Sequence, residues 1–322
     1  MAMRIVTFDE IQTEFLNNMR NRTLIPIIGA GFTKHCLSSN GTVPDGAEYR
    51  SYMISQLDSS GKLDNADIQQ LERAPFSIVA NAYHDFIDRS IRNVYLRNNF
   101  TNVKLPKEKI DFLSYSWPYI YTLNIDDAIE YNSRFCQIIL PNKKVDPTIY
   151  DHDLCVIKLH GDVHNILAYS DADSILTRVE YLKSINKNRA LLSKIEHDMV
   201  YQNLLYIGCS LDDELDLLSS AQMVSNEDVQ TARYLFTTHR PTPLQMKQYE
   251  NQRITHIVLF ENYDDIYQSL QTLFEQLKQL CIEDLKPYNM YTIHTADSDY
   301  ESNKGYLFFG KSCIKRRSTV DR

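Results

Sequence analysis

The chain has 322 residues, a mass of 37.6 kDa and a net charge of −8, from 34 basic and 42 acidic side chains. Apolar residues make up 43% of it and charged residues 24%, which is ordinary globular usage and excludes wholesale disorder. The acidic balance argues against non-specific binding of nucleic acids or anionic membranes, because their phosphates would be repelled.

The cysteines and the N-terminal sequence indicate the compartment. No two of the six cysteines are close enough for a CxxC motif, which argues against a structural zinc site. The sequence after Met1 lacks the apolar stretch of a signal peptide, and no run of 18 apolar residues is present. We therefore expect a soluble cytoplasmic protein with reduced cysteines, no metal and no membrane contact.

The first elements are a helix and a buried strand. Residues 7–20 place apolar side chains at spacings of three and four, and Thr7 with Glu10 has the pattern of a capping box. The apolar run at 24–28 predicts a buried strand that ends in a glycine turn. Pro26 counts against a strand because proline lacks the N–H that a sheet requires.

The rest of the chain begins with a helical insertion and then alternates strands with helices. Residues 34–115 show helical patterns without a strand, most clearly over 76–100, which predicts an inserted helical sub-domain. Further strands are predicted at 119–123, 155–159, 204–207, 233–237 and 254–260, and helices at about 179–200 and 262–280, the last capped by Asn262. This order predicts an α/β fold, a Rossmann-like parallel sheet with helices on both faces and no zinc ribbon.

Ligands of such sheets bind at the carboxyl ends of the strands. The predicted strands place their glycines and polar residues at that edge. The candidates are Gly29–Thr33, Asn124, Asp126, His160 and Gly208–Ser210.

The glycine motifs each have two interpretations. Gly29 and Gly31 would let the backbone approach a pyrophosphate, with N–H groups at the start of the following helix holding the anion. They would equally suit a tight turn without a ligand. Gly208 and Ser210 could meet the second half of a dinucleotide, or could form a turn that satisfies its own polar groups.

The polar motifs are equally open when each is taken alone. Asn124 could orient a ribose hydroxyl or a water and Asp126 could accept from a carboxamide, or these residues could cap a helix. His160 could act as a general base near neutral pH, or could be structural. Most of the other eight histidines are predicted to lie in loops or polar stretches, with His164 close enough to be confused with His160.

Taken together, four motifs carry a family resemblance. The stretches GAGFT, TLNIDD, KLHGD and IGCSL, in this order, resemble the sirtuin (SIR2) superfamily over roughly residues 5–280. PDGAEYR at 44–50 loosely resembles the family's cofactor loop, and TRVEY at 177–181 resembles a T-x-x-x-Y stretch of bacterial SIR2-like proteins.

One departure from the family concerns zinc. Sirtuin deacylases carry a four-cysteine zinc module after the catalytic histidine strand, whereas residues 156–208 here contain no cysteine. The chain is in this respect more similar to the zinc-less SIR2-like domains of bacterial anti-phage systems, which hydrolyse NAD⁺.

The resemblance implies an NAD⁺ glycohydrolase that releases nicotinamide and ADP-ribose, acting as a regulated NAD-depleting effector in abortive infection. NAD⁺ would be the substrate and no metal would be needed. The implied catalytic residues are Asn124, His160 and Asp126. The implied cofactor-binding residues are Gly29, Ala30, Gly31, Phe32, Thr33, Gly208 and Ser210.

Organisation and partners follow from the same resemblance. We expect a SIR2-like domain over 1–285, with the insertion at 34–115, and a basic tail or linker over 286–322. The resemblance implies a homo-oligomer controlled by a partner protein or a further C-terminal domain. The charge of −8 disfavours direct nucleic-acid contact by this domain, although the basic tail or a partner could supply it. The alternatives are a deacylase or ADP-ribosyltransferase, and a non-catalytic sensor of NAD⁺ or ADP-ribose.

Overall fold

A parallel sheet of eight strands forms the centre of the molecule. The computed structural model describes residues 3–133, 136–141, 154–169, 176–177, 179–180, 183, 189–211, 217, 220–222 and 231–289, with side chains to residue 280. The strands are β1 Arg4–Thr7, β2 Leu24–Ile28, β3 Ile120–Thr122, β4 Cys136–Ile139, β5 Leu154–Lys158, β6 Asn203–Ile207, β7 Arg233–Thr237 and β8 His256–Leu259. They lie in the order β1-β8-β7-β6-β2-β3-β5-β4, and every pairing is parallel.

The helices cover both faces of this sheet, as predicted. They are α1 Phe8–Arg20, α2 Gly46–Ser59, α3 Asn65–Leu71, α4 Phe76–Phe86, α5 Arg89–Phe100, α6 Lys107–Leu113, α7 Ala128–Asn132, α8 Val163–Ala168, α9 Arg189–Tyr201, α10 Pro243–Asn251 and α11 Tyr263–Asn289. Helices α1 and α11 and the helices of residues 34–115 pack into one apolar core, and α9 and α10 into the other. The predicted α/β architecture is therefore confirmed.

The four middle strands have their last residues paired with one another, so the predicted motifs that follow them lie together. Ile28 of β2 pairs with Thr122 of β3 on one side and with Ile207 of β6 on the other, and Thr122 pairs with Lys158 of β5. The residues that follow these four strands therefore share the carboxyl edge of the sheet. The strands β3 and β6 lie on opposite sides of β2, so the strand order changes direction at β2. Open α/β sheets form their ligand crevice at such a point.

Pro26 is accommodated within β2 by the register of its neighbours. The Ile28 carbonyl accepts from Leu123 on the β3 side, and residues two apart in a strand face the same neighbour. The N–H that Pro26 lacks would therefore point toward β3. Because β3 pairs only with Ile27 and Ile28, no ladder hydrogen bond is lost there.

Two edge strands were not predicted from the sequence. β1 has the short sequence RIVT and β4 the sequence CQII, and they occupy the two ends of the sheet. Each has one neighbouring strand only, and most of their side chains are partly or fully exposed. Neither therefore has the apolar run by which a buried strand is recognised.

The helical region, defined here as residues 34–115, contains α2 to α6 and no regular strand among its residues, all of which are described. Only isolated bridges occur, from Leu37 to Thr42 and to Lys104. The helix predicted over 76–100 is wrong in its length, because the chain is extended at Ile87 and divides it into α4 and α5. Both helices bury apolar side chains in the same core, so the apolar pattern continues across the break.

The predicted starts of two helices are confirmed. The Glu10 carboxylate accepts from the Thr7 N–H at 2.6 Å before α1. The Asn262 side chain accepts from the Asp265 N–H at 3.0 Å before α11, which continues to Asn289, beyond its predicted end. α8 and α10 were not predicted, and α7 was predicted only as the helix that Asn124 or Asp126 could cap. The first part of the helix expected at 179–200 lies largely outside the described residues, as does the tail after residue 289, and the domain division stays a prediction.

Candidate functional site

Two glycine turns interlock at the carboxyl ends of β2 and β6. The N–H groups of Gly29 and Gly31 donate to the carbonyls of Ile207 at 2.9 Å and Gly208 at 2.8 Å. A Cβ on Gly29 would lie 2.5 Å from the Gly208 carbonyl oxygen, and one on Gly208 would lie 2.4 Å from the Phe32 nitrogen. Gly208 also has a φ of +67°. These glycines are required for the close approach of the two turns.

The turn after β2 differs from the prediction. It leads into a single 3₁₀ turn over Ala30–Phe32, and the next helix, α2, begins only at Gly46. A single 3₁₀ turn thus stands where a longer helix with several free N-terminal amides would offer more donors, and whether it holds an anion stays a prediction. Among the described residues, the Ala30 N–H is the one amide between Gly29 and Lys34 that makes no hydrogen bond, so the turn offers an anion a single free donor.

Thr33, Asn124 and Asp126 form one hydrogen-bonded group. The Thr33 hydroxyl donates to Asp126 Oδ2 at 2.7 Å. Asn124 Nδ2 donates to the Gly29 carbonyl and to the Thr33 hydroxyl, at 3.1 Å each. Because a carbonyl can only accept, these bonds fix which end of the Asn124 amide points inward. Asn124 Oδ1 accepts no hydrogen bond among the described residues, and the side chain is partly exposed.

Asp126 is buried within this group, at 4% exposure. Its Oδ1 accepts from the Ala128 N–H at 3.1 Å, so the carboxylate also caps the start of α7. Burial raises the pKa of Asp126 to about 6, although the Lys158 charge and the Thr33 hydroxyl oppose the shift. Both interpretations of this residue, a helix cap and a carboxylate at the ligand edge, are compatible with this geometry.

His160 lies in a turn that is fastened to the Asn124 segment at both ends. The Leu159 N–H donates to the Thr122 carbonyl at 2.9 Å, and the Val163 N–H donates to the Ile125 carbonyl at 2.8 Å. Gly161 supplies the φ of +92° that the turn requires. His160 itself is 5% exposed. The backbone therefore holds the predicted histidine and the predicted amide next to each other along the same edge.

Lys158 is a further residue of this edge, and it was not predicted to have a role there. It is 1% exposed, and its Nζ donates to the Asp126 carbonyl at 2.7 Å, Glu130 Oε1 at 2.6 Å and Asp162 Oδ1 at 3.1 Å. Burial disfavours its charge, but Glu130 and Asp162 raise the pKa of Lys158 above its usual value. Lys158 thus joins the Asn124–Asp126 segment to the His160 turn. The signal was a lysine inside an otherwise apolar strand, which requires buried partners.

Asp127, the second aspartate of TLNIDD, connects the site to the helical region. Its buried carboxylate accepts from the N–H groups of Asn102 at 2.8 Å and Val103 at 3.0 Å. His164 Nε2 lies 3.0 Å from the same carboxylate, with its own side chain 59% exposed. His164 is therefore part of this connection, separate from the turn that holds His160.

Two of the residues predicted to bind the cofactor, Phe32 and Ser210, take no part in the hydrogen-bonded group. The Phe32 ring is fully buried against Phe112 and Tyr267, its N–H donates to Gly29, and its carbonyl accepts from Lys109. Ser210 is exposed beyond Gly208.

One histidine departs from the expected pattern. His256, the first residue of β8, is 1% exposed, and its Nε2 lies 2.6 Å from an Arg4 Nη2. Burial and then the Arg4 charge lower the pKa of His256, which favours the neutral ring that accepts from the arginine. It lies in a strand at the far side of the sheet and not in a polar loop.

The described part of the chain shows neither a metal cluster nor a membrane-spanning helix. Within those ranges no group of three or more His, Cys, Asp or Glu side chains is placed to hold a metal ion. None of the helices, as far as they are described, combines the length and the apolar character needed to cross a membrane.

Comparison with known proteins identifies one domain. A search of curated proteins finds no match. Residues 118–257 match the family model of the SIR2-like domain. The matched stretch runs from just before β3 into β8, so it includes Asn124, Asp126, His160 and Gly208. The inferred resemblance is confirmed over residues 118–257, which match a SIR2-like domain and hold three of the four motifs, whereas GAGFT at 29–33 lies before the matched stretch.

Proposed function

We propose that the chain is an NAD⁺ glycohydrolase that cleaves the bond between nicotinamide and ribose. One observation carries the proposal: residues 118–257 match a SIR2-like domain, and their Asn124, Asp126 and His160 turn lie with Thr33 at the carboxyl ends of β2, β3 and β5, the edge where a crevice is expected. SIR2-like domains bind NAD⁺, and the crevice is the expected place for a nucleotide.

The cleavage makes modest chemical demands. It passes through an oxocarbenium-like centre, and nicotinamide leaves without acid assistance because it is already cationic in NAD⁺. The enzyme has to orient the ribose, admit a water and stabilise developing charge. In our proposal, Asn124 Oδ1 accepts from the ribose hydroxyl or the water, because its Nδ2 is already occupied.

The remaining roles follow from the same contacts. His160 acts as the base toward that hydroxyl or water. Asp126 accepts from the nicotinamide carboxamide with the lone pairs that Thr33 and Ala128 leave over. The single free amide of the Gly29–Thr33 turn, that of Ala30, meets the pyrophosphate, and Gly208 with Ser210 face the adenosine half.

Loss of NAD⁺ would arrest the cell, so we propose that the activity is held off until a trigger arrives, in a regulated effector of anti-phage defence. An oligomer, a partner chain or a further domain would provide that control. The missing cysteines between 156 and 208 speak against the deacylase alternative.

The test is nicotinamide release from NAD⁺ by the full chain, over a range of protein concentrations. We expect His160→Ala and Asn124→Ala each to lower the rate by about 10²-fold or more, as removal of a general base or of its positioning partner does. His197→Ala is the matched control, because that side chain is 63% exposed on α9. Undiminished release by His160→Ala would contradict the assignment, and tight NAD⁺ binding without release under every condition would favour the sensor.

A further inference from the structure

A cavity of about 90 Å³ lies between the helical region and the segment around α8. Its walls include Tyr83, Arg89, Arg92 and Asn93 from α4 and α5, and Ile166 and Glu180 from the opposite side. This volume holds several water molecules, or an anion of the size of phosphate. None of the residues proposed for NAD⁺ lines it.

Arg92 is the unusual residue of this cavity. Its guanidinium makes no hydrogen bond or ion pair with any described residue, and its Nε is buried. Burial lowers the pKa of Arg92, but an arginine stays protonated at any physiological pH. The carboxylate of Glu180, on the facing wall, accepts instead from the N–H groups of Leu176 at 2.9 Å and Thr177 at 2.8 Å. The guanidinium is therefore partly buried without a hydrogen-bonded counterion.

The other donors beside the cavity make few hydrogen bonds within the protein. The Tyr83 hydroxyl is buried without a hydrogen bond to any described residue. Burial, and then Tyr49 and Tyr52, raise the pKa of Tyr83, so the hydroxyl keeps its proton and can donate. Arg89 uses one Nη2 contact, to the Ile166 carbonyl at a long 3.4 Å. Unpaired buried donors are rare in proteins, and two of them, the Tyr83 hydroxyl and Arg92 Nε, beside one cavity indicate a missing acceptor.

We propose that this cavity is a binding site for a small phosphate-bearing anion, separate from the NAD⁺ site. Two guanidinium groups, a phenol and the Asn93 amide offer more donors than the oxygens of a carboxylate accept, and planar guanidinium groups match phosphate oxygens in pairs. Glu180 acts on Arg92 only through its charge, and the anion would add the hydrogen-bonded counterion that Arg92 lacks. Since α8 directly follows the His160 turn, the ligand would connect the helical region to that turn.

The experiment titrates inorganic phosphate and, separately, ribose 5-phosphate into the full chain, at constant ionic strength. Calorimetry measures binding, and the unfolding temperature reports it independently, because a ligand of the folded state raises that temperature. We expect saturable binding of at least one of the two ligands, which would also distinguish a free phosphate from a phosphate ester. Arg92→Gln should weaken binding at least tenfold, and Tyr83→Phe should weaken it severalfold without a change in circular dichroism.

Arg97→Gln is the matched control, because Arg97 lies on the same helix α5 and is exposed. It should bind like the wild type and should share any general effect of phosphate on stability. If Arg92→Gln unfolds, Arg89→Gln takes its place. The absence of saturable binding, or equal binding by the Arg92 and Arg97 variants, would overturn the proposal.

A second arm tests whether the site is separate from the NAD⁺ site. The same titration is carried out on the Asn124→Ala chain, with and without saturating NAD⁺. We expect the phosphate affinity to stay the same within twofold. Displacement of phosphate by NAD⁺ would assign the cavity to the nucleotide site and overturn the inference. The outcome does not depend on whether the chain hydrolyses NAD⁺.

Discussion

Lys158 at the carboxyl edge of the sheet is a fully buried cation, Arg92 in the helical region is a partly buried one, and their surroundings differ. Lys158 donates to two carboxylates and a backbone carbonyl, whereas Arg92 has no hydrogen-bond partner among the described residues. Hydrogen-bonded groups are held in place before any ligand arrives, which suits a site that must orient a substrate. The unpartnered cation suits a site that is completed by its ligand. The four predictions below compare these two regions.

The largest expected effect is that of removing the buried lysine. Lys158→Met should cost about 3 kcal/mol of unfolding free energy, because it removes the buried cation that the partly buried carboxylates of Glu130 and Asp162 share. The control is Lys107→Met in the helical region, whose lysine is 81% exposed and pairs with Asp111 at the same i,i+4 spacing. That change should cost about 1 kcal/mol at most. Equal losses in urea unfolding would show that burial is not what makes the Lys158 contacts strong.

The second prediction concerns pH and Asp126. Its pKa in the folded protein is about 6, above the ordinary 3.8, so the folded state holds the proton more tightly than the unfolded state. The contribution of Asp126 to stability is therefore greatest below about pH 4, falls as the pH rises through 6, and is constant above it. Its full span is about 3 kcal/mol.

Urea unfolding of wild type and Asp126→Asn between pH 4 and 8 measures this effect. The stability of the wild type relative to the variant should fall across that interval. A difference that rises with pH would mean that the folded protein favours the ionised carboxylate.

The third prediction compares two glycines of similar backbone geometry. Gly61 in the helical region has a φ of +63° with open space around it, and Gly208 has a φ of +67° with Phe32 against it. Gly61→Ala should cost about 1–2 kcal/mol for the left-handed backbone alone. Gly208→Ala should cost a further ~1–3 kcal/mol, because backbone atoms must move. Thermal unfolding of both variants checks the difference, and equal costs would mean that the turns of β2 and β6 are not tightly interlocked.

The smallest expected effect is that of Arg92→Met in the absence of phosphate. It should change the unfolding free energy by less than about 1 kcal/mol, because no hydrogen bond within the protein is lost. Both substitutions replace a cation by methionine, so the stability losses of the two variants can be compared directly. A loss as large as that of Lys158→Met would show that Arg92 has partners within the folded chain.

The sequence predicted the layout of the site because its strands are buried and their ends are marked. Apolar runs that stop at glycine or at a polar residue locate Gly29, Asn124, His160 and Gly208, and parallel pairing then brings them to one edge. Contacts between distant segments were not predictable in this way. The pairing of Lys158 with Glu130 spans 28 positions and appears only once β5 lies beside the Asn124 segment.

Other features lacked a local signal altogether. β1 and β4 are short, half-exposed edge strands, and the break between α4 and α5 leaves the apolar pattern intact. The turn after Gly29 resembles a phosphate loop in sequence, yet two of its amides donate to the end of β6. Whether an amide faces a ligand or a neighbouring strand depends on tertiary packing, which the motif does not encode.

The central claim is that NAD⁺ binds at the edge shared by the Thr33–Asn124–Asp126 group and the His160 turn. A crystal structure of the full-length His160→Ala chain with NAD⁺ tests it most directly, because the variant should bind the nucleotide without cleaving it. The account predicts the nicotinamide ribose within hydrogen-bond reach of Asn124 Oδ1 and the pyrophosphate at the Ala30 N–H. NAD⁺ bound away from this edge, for example with its phosphates on Arg89 and Arg92, would contradict it.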